Sequence, residues 1–338
     1  MLKYMQILKF KNMKSDTETG AYSLSYILRK KVDWTSPNTY VFLGVQVIGI
    51  VWFLWLVWNH FFSRSLIPNS ILITSFIMIL MRYIVGMWFV TAWRHRYFAH
   101  RSFKLREKWK WLEVPIAFIC SMDAQRGVCQ WAAEHIWHHK YSDQPEDLHS
   151  CKETKSKLWC HMFWVLKKTE EIKWELIPQL RKSKWIVWIE NKQWIGIILG
   201  GGIFSFIGAS LFVSMSPVPG QFLYYFIFSL FAYFFATTLL WHGTFLINSA
   251  MHLIGKQPYK TGDESRNSLI CAILTLGEGW HNNHHWDYPT VKRARDLAGS
   301  VDRSAKGLYW QGKTTFQKYF DWSGASIWLI IKRGIAYE

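Results

Sequence analysis

Four stretches of this 338-residue chain, 41–58, 71–93, 194–215 and 222–247, are apolar over lengths close to what a bilayer crossing demands. A spanning helix needs about 20 such residues. No water reaches the hydrocarbon layer, so a crossing segment must satisfy its own backbone hydrogen bonds, as a helix does. The first stretch is the shortest, and Arg82 interrupts the second. Short connections at 59–70 and 215–221 pair them into hairpins. The chain is therefore expected to be an all-α integral membrane protein with four transmembrane helices in two hairpins.

Charge then orients the spans. Lys and Arg number seven in 1–40, 19 in 94–193 and 12 in 248–338, whereas the first hairpin turn has only Arg64 and the second none. The positive-inside rule places the arm 1–40, the loop 94–193 and the tail 248–338 together on the cytoplasmic side. The loop and tail would form a helical cap, and no repeat or linker divides residues 1–338 into further domains. The arm, with Lys3, Lys9, Lys11, Lys14, Arg29, Lys30 and Lys31 and an aromatic anchor at Trp34, is expected to lie on the membrane surface. Contact with anionic lipid, worth about 1 kcal/mol per basic residue, accounts for the net charge of +17. No recognition motif supports nucleic acid as a partner.

Smaller features carry narrower expectations. The five cysteines (Cys120, Cys129, Cys151, Cys160 and Cys271) form no CxxC pair and all fall in the cytoplasmic portions. They are expected to be reduced packing residues. About 40 mixed residues precede Val41, so no cleavable signal is expected. Arg82 marks a functional or paired site unless its helix leaves the membrane early. The short run 114–121 should be interfacial or buried, and Gly196, Gly200, Gly201 and Gly202 should permit close helix packing.

The chemistry lies in the histidines. Nine of the 13 fall in four groups outside the apolar stretches: His95 and His100; His135, His138 and His139; His252; and His281, His284 and His285. Imidazole is the commonest transition-metal ligand, and one ion takes about six ligands at most, so nine candidates imply a two-metal site. On a helix the members of each HxxHH group share a face, as do Asn248 and His252. His95 and His100 diverge by about 140° on an ideal helix, and converge only if that helix ends or distorts.

The strings HRYFAHRSF, EHIWHHKYSDQPEDLH, NSAMH, TGDESRN and GEGWHNNHH resemble the histidine boxes of the membrane fatty-acyl desaturases, specifically the Δ9, stearoyl-CoA desaturase-like branch and its bacterial members. The resemblance covers about 91–289. It implies that the nine histidines hold two iron ions, with Asn248 reaching one through water. It implies O2 as co-substrate and a cis double bond placed at Δ9 in a saturated fatty acyl chain carried on CoA, carrier protein or lipid. Two electrons would come from an external carrier such as ferredoxin, rubredoxin or cytochrome b5, since no fused haem motif is seen. Imidazoles suit iron and leave positions open for oxygen. Glu134, Asp143, Asp147 and Glu278 are candidates to orient ligand rings by hydrogen bonding. For His149 and His161 a similar supporting place is conceivable, whereas His60 and His242 carry no such expectation. A bacterial inner membrane is favoured over the endoplasmic reticulum.

The chain departs from the family pattern at Trp93, Ile136 and Phe163, and at Arg126, Ala133 and Glu134 where acyl-CoA enzymes carry Asn, Arg and Asp. None removes a ligand; Trp93 and Phe163 are bulky enough to reshape a substrate channel. Two other readings remain open at this stage. A di-iron membrane hydroxylase of alkanes or lipids uses related boxes. A membrane b-type cytochrome would need facing histidines inside the spans, where only His242 lies.

Overall fold

The computed structural model describes residues 22–62, 68–215, 220–287, 317 and 320–337. Four helices are long and apolar enough to cross a membrane. They are α1 (Pro37–Phe61), α2 (Asn69–Trp88, continuing as a π-helix, Phe89–Ala99), α8 (Gln193–Met215) and α9 (Phe222–Asn248). Half of the most apolar window of α9 is buried inside the protein, against 22% for α1. The reason is position, since α9 packs against α8, α1 and α2. The α1–α9 crossing is close because Gly49 has no side chain: a Cβ there would lie 2.6 Å from the Phe235 amide nitrogen. Beside it Phe53 stacks on Phe235 with centroids 4.2 Å apart. Outward faces expose Val47, Leu54, Ile73, Ile77, Ile198 and Phe206, as lipid contact requires.

The cap is built from α3 (Glu113–Ser121), α4 (Val128–Tyr141), α5 (Cys151–Thr154), α6 (Lys157–His161), α7 (Lys184–Asn191), α10 (Ala250–Leu253), α11 (Leu269–Leu274), α12 (His281–Asp287) and α13 (Trp322–Lys332). Its core is Ala92, Trp93, Phe98, Phe103, Ala117, Cys120, Val128, Ala132, Ile186 and Ile189, among others. A two-residue antiparallel pair, β1 (Lys104–Leu105) with β2 (Ala336–Tyr337), is a small exception to an otherwise helical chain. Trp111, Trp185, Trp188 and Trp194 are exposed near lysines, a pattern suited to a membrane interface. The run 114–121 is packed in the cap, where Ile116, Ala117 and Cys120 are buried. Gly196 and Gly200 abut Ser121 and Met122, whereas Gly202 faces open space.

Arg82 is paired. Its Nη2 donates to the Met122 carbonyl at 3.1 Å, and its guanidinium lies over the Tyr233 ring. Tyr233 Oη donates to the same carbonyl at 2.6 Å. The negative C-terminal end of α3 is thus the group that holds this charge. Of the arm 1–40, residues 1–21 lie outside the described residues. The portion that follows docks on the cap: Ile27 is fully buried with Trp159 and Leu166, and Tyr22 N donates to Thr154 O.

One expectation is corrected here. Cys151 and Cys160 form a disulfide that ties α5 to α6, while Cys120, Cys129 and Cys271 are free and buried. Lys155, in the left-handed conformation, turns the chain so that the two sulfurs meet. Such bonds persist in oxidising compartments, so this one stands against a cytoplasmic cap. Trp93 packs on Tyr97 and Phe103, and Phe163, partly buried, packs against the cluster around Ile27.

Candidate metal centre

Residues five apart superpose only where the helix is wound more widely, and the π-helix at the end of α2 supplies that winding. Its closing bond runs from His100 N to His95 O, an i to i−5 pairing. Their Nε2 atoms come to 2.9 Å of each other. The distortion that the HxxxxH spacing demands is present, and it is buried from Val90 to Ala99.

The nine histidines separate into two clusters. One holds His95, His100, His135, His139 and His284; the other holds His138, His252, His281 and His285. Both α4 and α12 contribute to each, so their HxxHH groups lie between the clusters instead of pointing into one. In the first, the Nε2 atoms form a closed ring in the order 95, 100, 135, 139, 284, with neighbours 2.8–3.2 Å apart. A ring nitrogen is either a donor or an acceptor. Around a ring of five, donors and acceptors cannot alternate, so hydrogen bonds alone leave at least one pair mismatched. A central cation satisfies five lone pairs at once. In the second cluster, His285 Nε2 is buried without a hydrogen-bond partner among the described residues, and His252 Nε2 lies 3.1 Å from His281 Nε2.

Carboxylates set the rings. His138 Nδ1 donates to Asp147 at 3.1 Å, His252 Nδ1 to Asp143 at 2.9 Å, and His285 Nδ1 to Asp263 at 2.6 Å. In the first cluster, His95 Nδ1 donates to Glu278 at 2.9 Å. Each such bond fixes the tautomer that presents the Nε2 lone pair. Burial pushes the Asp147 and Asp263 carboxyls up, but the neighbouring imidazoles outweigh it and hold both below the carboxylate range. Burial likewise opposes ionisation of Glu278, and Arg96 with His95 overcomes it. Burial drives His135, His139, His281 and His284 well below the ordinary imidazole value, so those rings are neutral.

A charge count supports the fit. Among the described residues, the four carboxylates on these rings and Asp321, which lies beside Arg96, make five negative groups against the one guanidinium of Arg96. Buried negative charge is therefore in excess around the rings, and bound cations would compensate it.

Glu134, expected to orient a ring, turns to other partners. Glu134 pairs with Arg126 and accepts from Gln130 Nε2 at 2.8 Å, because one residue before His135 its side chain leaves the helix on a different face. Asn248 ends α9, four residues before His252, and is half-buried. His149 packs with tilted rings against His138 and Trp164, and burial lowers it to about 3. His161 Nε2 lies 2.9 Å from His242 Nδ1, and His242 Nε2 lies 3.0 Å from Gln46 Oε1. His242 thus bonds directly to a cap histidine, not across a haem. Asp263 was not anticipated. Its signal was the TGDES turn, whose Thr261 hydroxyl and Ser265 amide both donate to it.

The fatty acid desaturase family model matches residues 70–293. Among known proteins, a hex-5-enoyl-(acyl-carrier protein) acetylenase of Moorena producens is 32% identical over 252 residues, covering 67% of this chain and 75% of its own. An sn-2 palmitoyl-lipid 9-desaturase of Nostoc is 26% identical, covering 79% and 81%. An sn-1 stearoyl-lipid 9-desaturase of Anabaena variabilis is 28% identical, covering 76% and 82%. With the family model spanning both histidine clusters and most of the four long helices, the chain belongs to the fatty acid desaturase family.

Proposed function

We propose that this protein uses O2 and two electrons to place a cis double bond, at Δ9, in a saturated fatty acyl chain. The observation that carries the reading is the partition of nine imidazoles into a five-membered and a four-membered cluster beside four apolar helices. The two clusters would each hold an iron ion, with Asn248 contributing to the four-histidine side through water. The bound irons would supply the oxidising power that an unactivated CH2 demands. The polypeptide's part is to present neutral Nε2 lone pairs, to hold rings by Asp143, Asp147, Asp263 and Glu278, and to keep the centre dry by burial.

A shallow cleft with room for about 30 Å³ is lined by Arg126, Glu134, Trp164, Lys167, Lys168 and Lys173 among others. Its basic rim would face the polar end of a carried acyl chain, on lipid, CoA or carrier protein. The two cyanobacterial relatives are named for lipid-linked substrates and the Moorena relative for a carrier-protein one. Electrons would come from a ferredoxin, rubredoxin or cytochrome b5. The Lys and Arg distribution supports a cytoplasmic catalytic face, the Cys151–Cys160 disulfide opposes it, and the bacterial character of the TGDESRN and GEGWHNNHH motifs favours a bacterial inner membrane. Labelling single cysteines introduced in the first hairpin turn with a membrane-impermeant maleimide decides between them.

The function is tested by gas chromatography–mass spectrometry of lipids from a desaturase-deficient host expressing the chain. A new cis-monounsaturated acid with its bond at Δ9 supports the reading. A hydroxylated acid moves it to hydroxylation, and a triple bond to acetylenation.

A further inference from the structure

The segment after residue 317 lies beyond the stretch that matches the family model, yet it reaches the metal centre. Asp321 is fully buried, at the start of α13. Its carboxylate accepts from Arg96 Nη2 at 2.9 Å and Nη1 at 3.3 Å. Arg96 in turn donates to Glu278 Oε1 from Nε at 3.1 Å, with Nη2 at 3.0 Å. The other oxygen of Glu278 receives the Nδ1 proton of His95. Arg96 is 1% exposed and Glu278 5%, so the string is shielded from bulk solvent.

The backbone around it is shaped for this contact. Gly277 has φ +120°, and a Cβ there would fall 2.3 Å from Asp321 Oδ1. Ser323 donates from both its amide and its hydroxyl to the Leu276 carbonyl, which clamps the loop that carries Glu278. Arg96 is held between two carboxylates; with one of them removed it could swing, and Glu278 with it.

We propose that Asp321 is a positioning residue of the five-histidine cluster: acting through Arg96 and Glu278, it fixes the His95 ring, which makes α13 part of the metal centre. The inference rests on the two-metal reading above. Asp321 also caps α13, accepting from Gly324 N at 2.9 Å, so a purely structural role must be separable. Asp321→Ser keeps a side chain that caps helices well but is too short for Arg96. Asp321→Asn keeps the shape and removes the charge.

The test uses the full chain, purified in detergent and titrated with Fe(II) or Co(II), reading metal per chain by mass spectrometry and the Co(II) absorption spectrum. Wild type should bind two ions. Both variants should hold one ion as before and bind the other about 10- to 100-fold more weakly, the usual effect of losing such a support. The lost ion should have the spectral signature that is also missing in His284→Ala. Two ions bound with wild-type affinity in Asp321→Ser, whatever its melting temperature, would overturn the proposal. If Asp321→Ser does not fold, Asp321→Asn decides by the same criterion. Wild type binding fewer than two ions would instead sink the two-metal reading, and the inference with it. Neither readout requires a desaturated product.

Discussion

The two histidine clusters solve one problem in different ways. In the five-histidine cluster Glu278 accepts from His95 and is shared with Arg96. The four-histidine cluster has one imidazole fewer, and three of its four rings donate to a buried aspartate. Donation from Nδ1 to a carboxylate raises the basicity of Nε2. Among the described residues, the smaller ligand set is the one with more of its rings held by aspartates.

Ligand removal should break the comparison most severely. His138→Ala should empty the four-histidine cluster and His284→Ala the five-histidine one, each lowering metal content from two ions to one and abolishing unsaturated product while the protein still inserts in the membrane. Retention of both ions in either variant would contradict the partition. Acidification comes next. The folded-state values of His135, His139, His281 and His284 are depressed, so the stability they contribute is present above about pH 6.5 and lost as pH falls below it. Thermal melts of metal-free protein should therefore show a falling Tm from pH 7 to 5, chiefly through the five-histidine cluster, which holds three of these rings. A flat profile would show that the rings are not buried neutral.

Weaker effects sharpen the difference. Asp143→Asn, Asp147→Asn or Asp263→Asn should each weaken the ion of the four-histidine cluster about 10- to 100-fold and spare the other. Equal loss from both clusters would mean that the carboxylates act through the fold rather than through their own rings. Smallest of all, Glu134→Gln should leave metal affinity within about twofold, since its contacts are Arg126 and Gln130, and should instead change KM for the acyl substrate. A large loss of metal would return Glu134 to the centre.

Much of this was legible beforehand for physical reasons. Apolar runs long enough to cross a bilayer admit few alternatives to helices, so the four long helices were apparent without coordinates. Ligand type was equally apparent, because nine imidazoles on one side of those runs have few other uses. The π-winding at His95 and His100 was legible as a demand for distortion, although not as a particular geometry. Asp263 was missed because an aspartate in a polar turn resembles any surface residue until the fold places His285 2.6 Å away. Asp321 was missed for a stronger reason: it lies 225 residues from Arg96, and nothing local marks it.

The sequence by itself determined the solvent this protein needs, the number of its long helices and the chemical nature of its ligands, since those follow from composition, length and local spacing. Only the tertiary structure decided which imidazole belongs to which cluster, which carboxylate holds which ring, and that Arg82 and Arg96 are paired at all. Those are contacts between residues far apart in the chain, and local periodicity carries no information about them until the helices pack.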